Sequence, residues 1–275
     1  MSLAGVGEPG SPAQATGRYG LLDLLRSEWI KLLTVRSTMW SLGLVLVLGV
    51  GLGALATAET RAHWAAMSFV ERLTFDATRQ SLVGVFFAQL VIGVLGVLVM
   101  SAEYGTGTIR ASLAAAPRRP LLLTAKSLVF AAVSLVVSEI VAFVAYFLGQ
   151  ALLSAPAPHT TLSSPGALRA VIGSGIYLCL LGLLGLGLAT IIRHTAGAIG
   201  AFVGILLVLP LIIAPLPHSI SSPIERYLPA NIGASVVSAH AGGVSLSPWV
   251  GIAVLCAYAA AALVIGGVVL VRSDA

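Results

Sequence analysis

The sequence predicts an all-α polytopic membrane protein: six transmembrane helices preceded by an N-terminal amphipathic interfacial helix. Of its 275 residues 58% are hydrophobic and only 9% are charged, whereas a soluble domain is about a quarter charged. Several uncharged runs reach roughly 20 residues, the length that crosses a hydrocarbon core of about 30 Å at 1.5 Å per residue. These runs are continuous rather than alternating ten-residue stretches, so they read as helices that satisfy their own backbone and not as barrel strands.

Taken in order, residues 1–17 are rich in Gly, Pro, Ser and Ala and offer nothing to bury, which predicts a disordered tail. Residues 18–36 cover most of "YGLLDLLRSEWIKLLTVRST", where Leu21, Leu22, Leu25, Trp29, Leu32 and Leu33 recur at helical spacing opposite Asp23, Arg26, Glu28 and Lys31. That pattern predicts a helix lying in the membrane interface, with Arg26, Glu28, Trp29 and Lys31 as its polar and aromatic anchors. Residues 37–275 form the membrane domain, with spans expected over Thr38–Ala58, Ser81–Ser101, Leu121–Gly149, Leu168–Ile192, Ala196–Leu216 and Pro248–Val271. The small residues in "GLLGLGLA" and "AGAIGAFVG" predict close helix–helix contact and hence a packed bundle.

Charge sets the orientation. Of the 15 Lys and Arg, five (Arg61, Arg72, Arg79, Arg169 and Arg226) fall on one side of the predicted spans and the rest on the other. The positive-inside rule predicts that both termini are cytoplasmic; the excess of Arg over Lys and the abundant Ala and Gly point to a bacterial source, hence an expected inner (plasma) membrane. The net charge of +5 is scattered beside apolar runs rather than gathered in a stripe, which argues against a nucleic-acid partner. Cys179 and Cys256 both sit inside apolar runs and read as small buried hydrophobes.

There is no Gly-Lys dipeptide, hence no phosphate-cradling Walker loop, and H-E-x-x-H, C-x-x-C and G-x-S-x-G are all absent. No catalytic, cofactor-binding or metal-ligating set is expected. Glu139 is the exception within the spans. An ionisable group at that depth is costly, and it either lines a translocation path or lies near the outer interface. The stretch "PHSISSPIERYLPANIGASVV", part of an outer segment spanning residues 217–247, is too polar to span and too apolar for a simple loop; it predicts a re-entrant or interfacial hairpin bent at Pro229.

The connector "SAEYGTGTIRASLAAAPRRPLLLTAK" concentrates an acid, a Gly-x-Gly turn and four basic residues between two apolar spans. Gly105 and Gly107 allow a tight turn, Thr106 or Thr108 can cap a short helix that stops at Pro117, and Arg118 and Arg119 face headgroups. Within this loop, residues 102–120, Glu103, Thr106, Thr108 and Arg110 are the candidate functional residues. Glu103 and Arg110 would reach either a partner protein or the interfacial helix.

The pairing of "RSEWIKLLTVRSTMW" with "SAEYGTGTIRASLAAAPRRPLLLTAKSLV", followed by "ERYLPANIGASVV", resembles the membrane subunits of type-2 ATP-binding-cassette exporters in their short bacterial form. The resemblance implies a six-helix permease with a cytoplasmic coupling helix and an outer re-entrant element. It also implies a separate ATPase subunit that binds the ATP, with Glu103, Thr106, Thr108 and Arg110 as the ATPase-coupling contacts, and a second permease chain in a homodimer or heterodimer. On that reading the chain is not an enzyme but a transport subunit without its own ATPase site. Its cargo would be hydrophobic or amphiphilic, because the spans are. The rival readings are an ion-coupled secondary carrier or an intramembrane enzyme, each depending on Glu139.

Overall fold

The computed structural model describes residues 20–105, 119–153, 155, 157–239 and 246–272. Most of the described residues are helical and none of them is in a strand. Six helical segments are long and apolar enough to cross a membrane: Arg36–Ala66, Val85–Tyr104, Pro120–Leu152, Ala167–Ile192, Thr195–Ile213 and Pro248–Arg272. Five of them begin and end within four residues of the expected spans and the first runs eight residues past Ala58, because an uninterrupted apolar run fixes a membrane helix better than it fixes its ends.

Helix α1 (Leu21–Thr34) precedes α2 (Arg36–His63), which carries the first span. After a single 3₁₀ turn at Trp64–Ala66 come two short helices, α3 (Phe69–Leu73) and α4 (Ala77–Ser81), capped by Ser68 and Asp76. Helices α5 (Val85–Gly105), α6 (Arg119–Leu152) and α7 (Ala167–Ile192) form the second to fourth spans. The second span starts four residues later than expected, since Ser81 closes α4 and residues 82–84 turn. The fifth span is composite: α8 (Thr195–Val203), a π-helical turn over Gly204–Val208 and α9 (Leu209–Ile213). Pro210 has no N–H and its ring crowds the preceding turn, and the wider π turn just before it accommodates that misfit. Two short helices, α10 (His218–Glu225) and α11 (Pro229–Val237), lead to α12 (Pro248–Arg272).

Helix α7 is the centre of the bundle and packs against α5, α6 and α12, while α2 lies against α5 and α6. Close approach at the α5–α7 crossing depends on glycine. A Cβ on Gly96 would strike the carbonyl of Gly182, and one on Gly185 would strike that of Gly93. Backbones meet there without side chains between them, the arrangement that small residues permit in membrane helices. "GLLGLGLA" therefore packs as its composition predicts. "AGAIGAFVG" does so only in part: Ala198 and Phe202 are buried, but Gly200 and Gly204 face open space.

The bundle has two ends. One, here the proximal end, carries α1, the close of α5 and the start of α6; the other, the distal end, carries α3, α4, α10 and α11. At the distal end the residues after Pro217 form two short helices, with Pro229 in the first turn of the second. Ile232 and Val236 of α11 are buried in the main core, and Tyr177 of α7 donates hydrogen bonds to Gln89 Oε1 at 2.5 Å and to the Pro229 carbonyl at 3.2 Å. Gln150 ties α6 to α4 by donating to the Ala77 carbonyl and Ser81 Oγ, both at 2.9 Å. Of the cysteines, Cys179 is buried as expected but Cys256 is exposed, because α12 turns much of its surface away from the bundle.

Candidate functional site

Four charged side chains close into a ring at the proximal end. Lys126 Nζ lies 2.5 Å from Glu28 Oε2 and 2.9 Å from Glu103 Oε1. Lys31 Nζ lies 2.8 Å from Glu28 Oε1 and 3.3 Å from Glu103 Oε1. Charges alternate around the ring, two carboxylates against two ammonium groups, so the cluster is neutral. It is also well covered: the side chains of Lys126 and Glu28 are 4% and 5% exposed, Glu103 12% and Lys31 44%.

Three elements supply the ring. Leu24, Glu28 and Leu32 recur every fourth residue on one face of α1 and are its buried residues. Leu24 packs on Leu122 and Ala125 of α6, one turn before and next to Lys126. Glu103 stands in the last turn of α5, two residues before its end at Gly105. Burial raises the Glu28 carboxyl, but the charge and hydrogen bond of Lys126, with Lys31 adding to them, outweigh it and hold the carboxyl below its ordinary value of 4.5. Burial lowers the Lys31 ammonium, but its bond to Glu28 and the charge of Glu103 hold it above 10.5. Both groups are therefore ionised at neutral pH.

This placement corrects one expectation. Glu28 belongs to the buried face of α1 and not to a polar face opposite the apolar one, because Lys126 and Glu103 await it there. The helix instead turns Leu22, Trp29 and Leu33 outward, Leu22 being 79% exposed. Arg26 is exposed and stands outside the ring.

Next to Glu103, the ring of Tyr104 lies under the Arg193 guanidinium at 5.9 Å. Arg193 caps α7 in a left-handed conformation (φ 58°) and donates to the Val269 carbonyl of α12 at 2.9 Å. The last turn of α5 is thus held on both sides, by Glu103 to α1 and α6 and by Tyr104 to the α7–α8 corner and α12. Thr106, Thr108 and Arg110, with the short helix expected around them, lie outside the described residues, between the two helices that the ring joins. Sequence reasoning named Glu103, Glu28 and Lys31 but not the partners Lys126 and Arg193. One signal was present: Lys31 and Lys126 are the only lysines in the chain. A compact ammonium can sit between two carboxylates where a planar guanidinium would be less suited.

Glu139 is remote from the ring, 13 residues beyond Lys126 on α6 or about 20 Å along the axis. Its carboxylate is half-buried over Gly175 of α7, where any side chain would collide with it. Its Oε2 is buried with no hydrogen-bond partner, and so is Oγ of the adjacent Ser138. The residue faces a neighbouring helix of the bundle and has no second acid, His or nucleophile bonded to it. Among the described residues no three of His, Cys, Asp and Glu come together. In comparisons with known proteins, no family model and no curated protein matches the chain.

Proposed function

We propose that this protein is the membrane subunit of an ATP-driven exporter, worked by a separate ATPase that grips the connector between α5 and α6. The observation that carries the reading is the charged ring. The connector leaves the bundle at Glu103 and returns at Lys126, and both residues hold α1 through buried ion pairs. A push on the connector would therefore move α1, α5 and α6 as one body and reach α7 and α12 through Tyr104 and Arg193. A loop serving only to set topology would need its basic residues and no such clamp. On this reading the proximal end is cytoplasmic, as the distribution of Lys and Arg predicts, and the α10–α11 segment is external.

The partner permease chain has a natural seat. The first and fifth spans are each only 22% buried, and Gly43 and Gly51 on one, with Gly200 and Gly204 on the other, have nothing within 4 Å of an added Cβ. Small residues on uncovered membrane helices suit close approach by another helix. Cargo would then pass between two chains, and the apolar spans favour a hydrophobic or amphiphilic molecule.

The test is affinity purification of the tagged chain from membranes of its native host. The expected result is a chain with a Walker-type nucleotide site that copurifies in equal amount and is lost from Arg110→Ala. An intact chain that brings down no ATP-binding protein would overturn the proposal. The alternative, an ion-coupled carrier, rests on Glu139 and its unpartnered oxygen; ion-dependent uptake by vesicles holding this chain alone would favour it.

A further inference from the structure

We infer that the groove between α6 and α12 is a binding site for an anionic phospholipid, one acyl chain lying in the groove and the headgroup at its proximal mouth. The groove has a volume of about 710 Å³, within the range of sites that hold small molecules. Helix α7 forms its floor through Leu183, and Ala131 closes its inner end. Its rims are Leu128 on α6 and Val264 and Val268 on α12, all exposed. It is therefore open sideways along two membrane-spanning helices. Water does not settle in a space lined this way, and at that depth the surrounding apolar matter is lipid chain.

Polar groups appear only toward the proximal end, where Thr124, Ser127 and Arg272 join the lining. The Thr124 hydroxyl is already engaged, donating to the Pro120 carbonyl at 2.9 Å. Arg272 is in none of the ion pairs found among the described residues. Arg272 at the mouth of an apolar slot matches a lipid with a negative head and a long chain, and basic pockets between membrane helices on the cytoplasmic side hold such headgroups.

A second copy of the chain is the less suitable occupant. The rims are large and branched, whereas the faces built for close helix approach lie on the first and fifth spans. The leaflet, cytoplasmic, is named from the orientation proposed above. The groove and its occupant need no ATPase, so this inference and the transport reading can fail separately.

The experiment is native mass spectrometry of the full chain, delipidated in mild detergent and titrated with phosphatidylglycerol or phosphatidylcholine. Wild type should retain one phosphatidylglycerol per chain, with at least about fivefold preference over phosphatidylcholine. Arg272→Gln should reduce that preference at least about threefold, while Arg36→Gln, a basic residue of the same end outside the groove, should leave it unchanged. Gly267→Phe should abolish binding by filling the groove; a Cβ there meets nothing nearer than Leu123 at 3.6 Å, so the helix accepts it. If that variant misfolds, Leu128→Trp on the exposed rim makes the same test. Equal binding of both lipids by wild type, or full binding by the filled variants, would overturn the inference. Lipid that binds monomer but is excluded from dimer would assign the groove to a second copy and overturn it as well.

Discussion

Lys126 of α6 donates to both Glu28 of α1 and Glu103 of α5, at 2.5 Å and 2.9 Å, and so joins three elements 98 and 23 residues apart in the chain. Removing the ammonium leaves the two carboxylates sharing Lys31 alone, so that one covered negative charge is stranded. Loss of one partner from a buried ion pair costs about 3–5 kcal/mol. Lys126→Met should therefore lower the melting temperature in detergent well below that of wild type. Adding Glu28→Gln should recover part of the loss, because one stranded charge goes and Lys31 still holds Glu103. Double-mutant cycles read the coupling directly; additive losses would mean the ring is not an energetic unit.

The ring also sets an acid dependence. Because the Glu28 carboxyl is held below 4.5 in the folded protein, its contribution is fully present above that value and fades as pH falls through the lower, folded one. Lys31, held above 10.5, contributes fully below that value and fades only as pH rises beyond it. The ring is thus intact across neutral pH and opens in acid. Melting temperatures measured from pH 3 to pH 8 should drop toward the acid end in wild type and drop less steeply in Glu28→Gln.

The two sets of glycines should respond differently to bulk. Gly96→Val drives a side chain into the Gly182 carbonyl, and overpacking of this kind costs about 1–3 kcal/mol or more where backbone blocks relaxation. The variant should lose yield and helical content. Gly200→Leu points into open space and should keep the fold while lowering the dimeric fraction seen by size-exclusion chromatography with light scattering. A fully dimeric Gly200→Leu would remove the first and fifth spans as the proposed contact face.

Much of the fold was legible because long apolar runs admit one reading in lipid. Six spans and a helix break just before Pro229 follow from length, hydropathy and helix breakers. What the sequence did not disclose is side-chain direction. On α1 both Leu21–Leu25–Trp29 and Leu24–Glu28–Leu32 keep helical spacing, and only the tertiary partners decide which stripe turns inward. Lys126 looked like one more positive residue near a membrane edge, since nothing local announces a partner 98 positions away. For "AGAIGAFVG" composition could mark small residues but not say whether they meet this chain or another.

Glu139 carries a prediction of its own. Its buried, unpartnered oxygen over Gly175 is a poor structural bond and a plausible contact for cargo. Glu139→Ala should insert and melt as wild type does while ATP-driven transport by the assembled complex falls at least about tenfold. Undiminished transport would leave Glu139 without a role in the path.

The central claim is that an ATPase seizes the connector joining Glu103 to Lys126, and the most direct measurement places a photo-crosslinking residue at position 110 in native membranes. The account predicts a covalent adduct between this chain and an ATP-binding polypeptide from position 110, and none from position 61 near the far end of α2. An adduct from position 61, or labelling of position 110 by a membrane-impermeant reagent applied outside the cell, would contradict it.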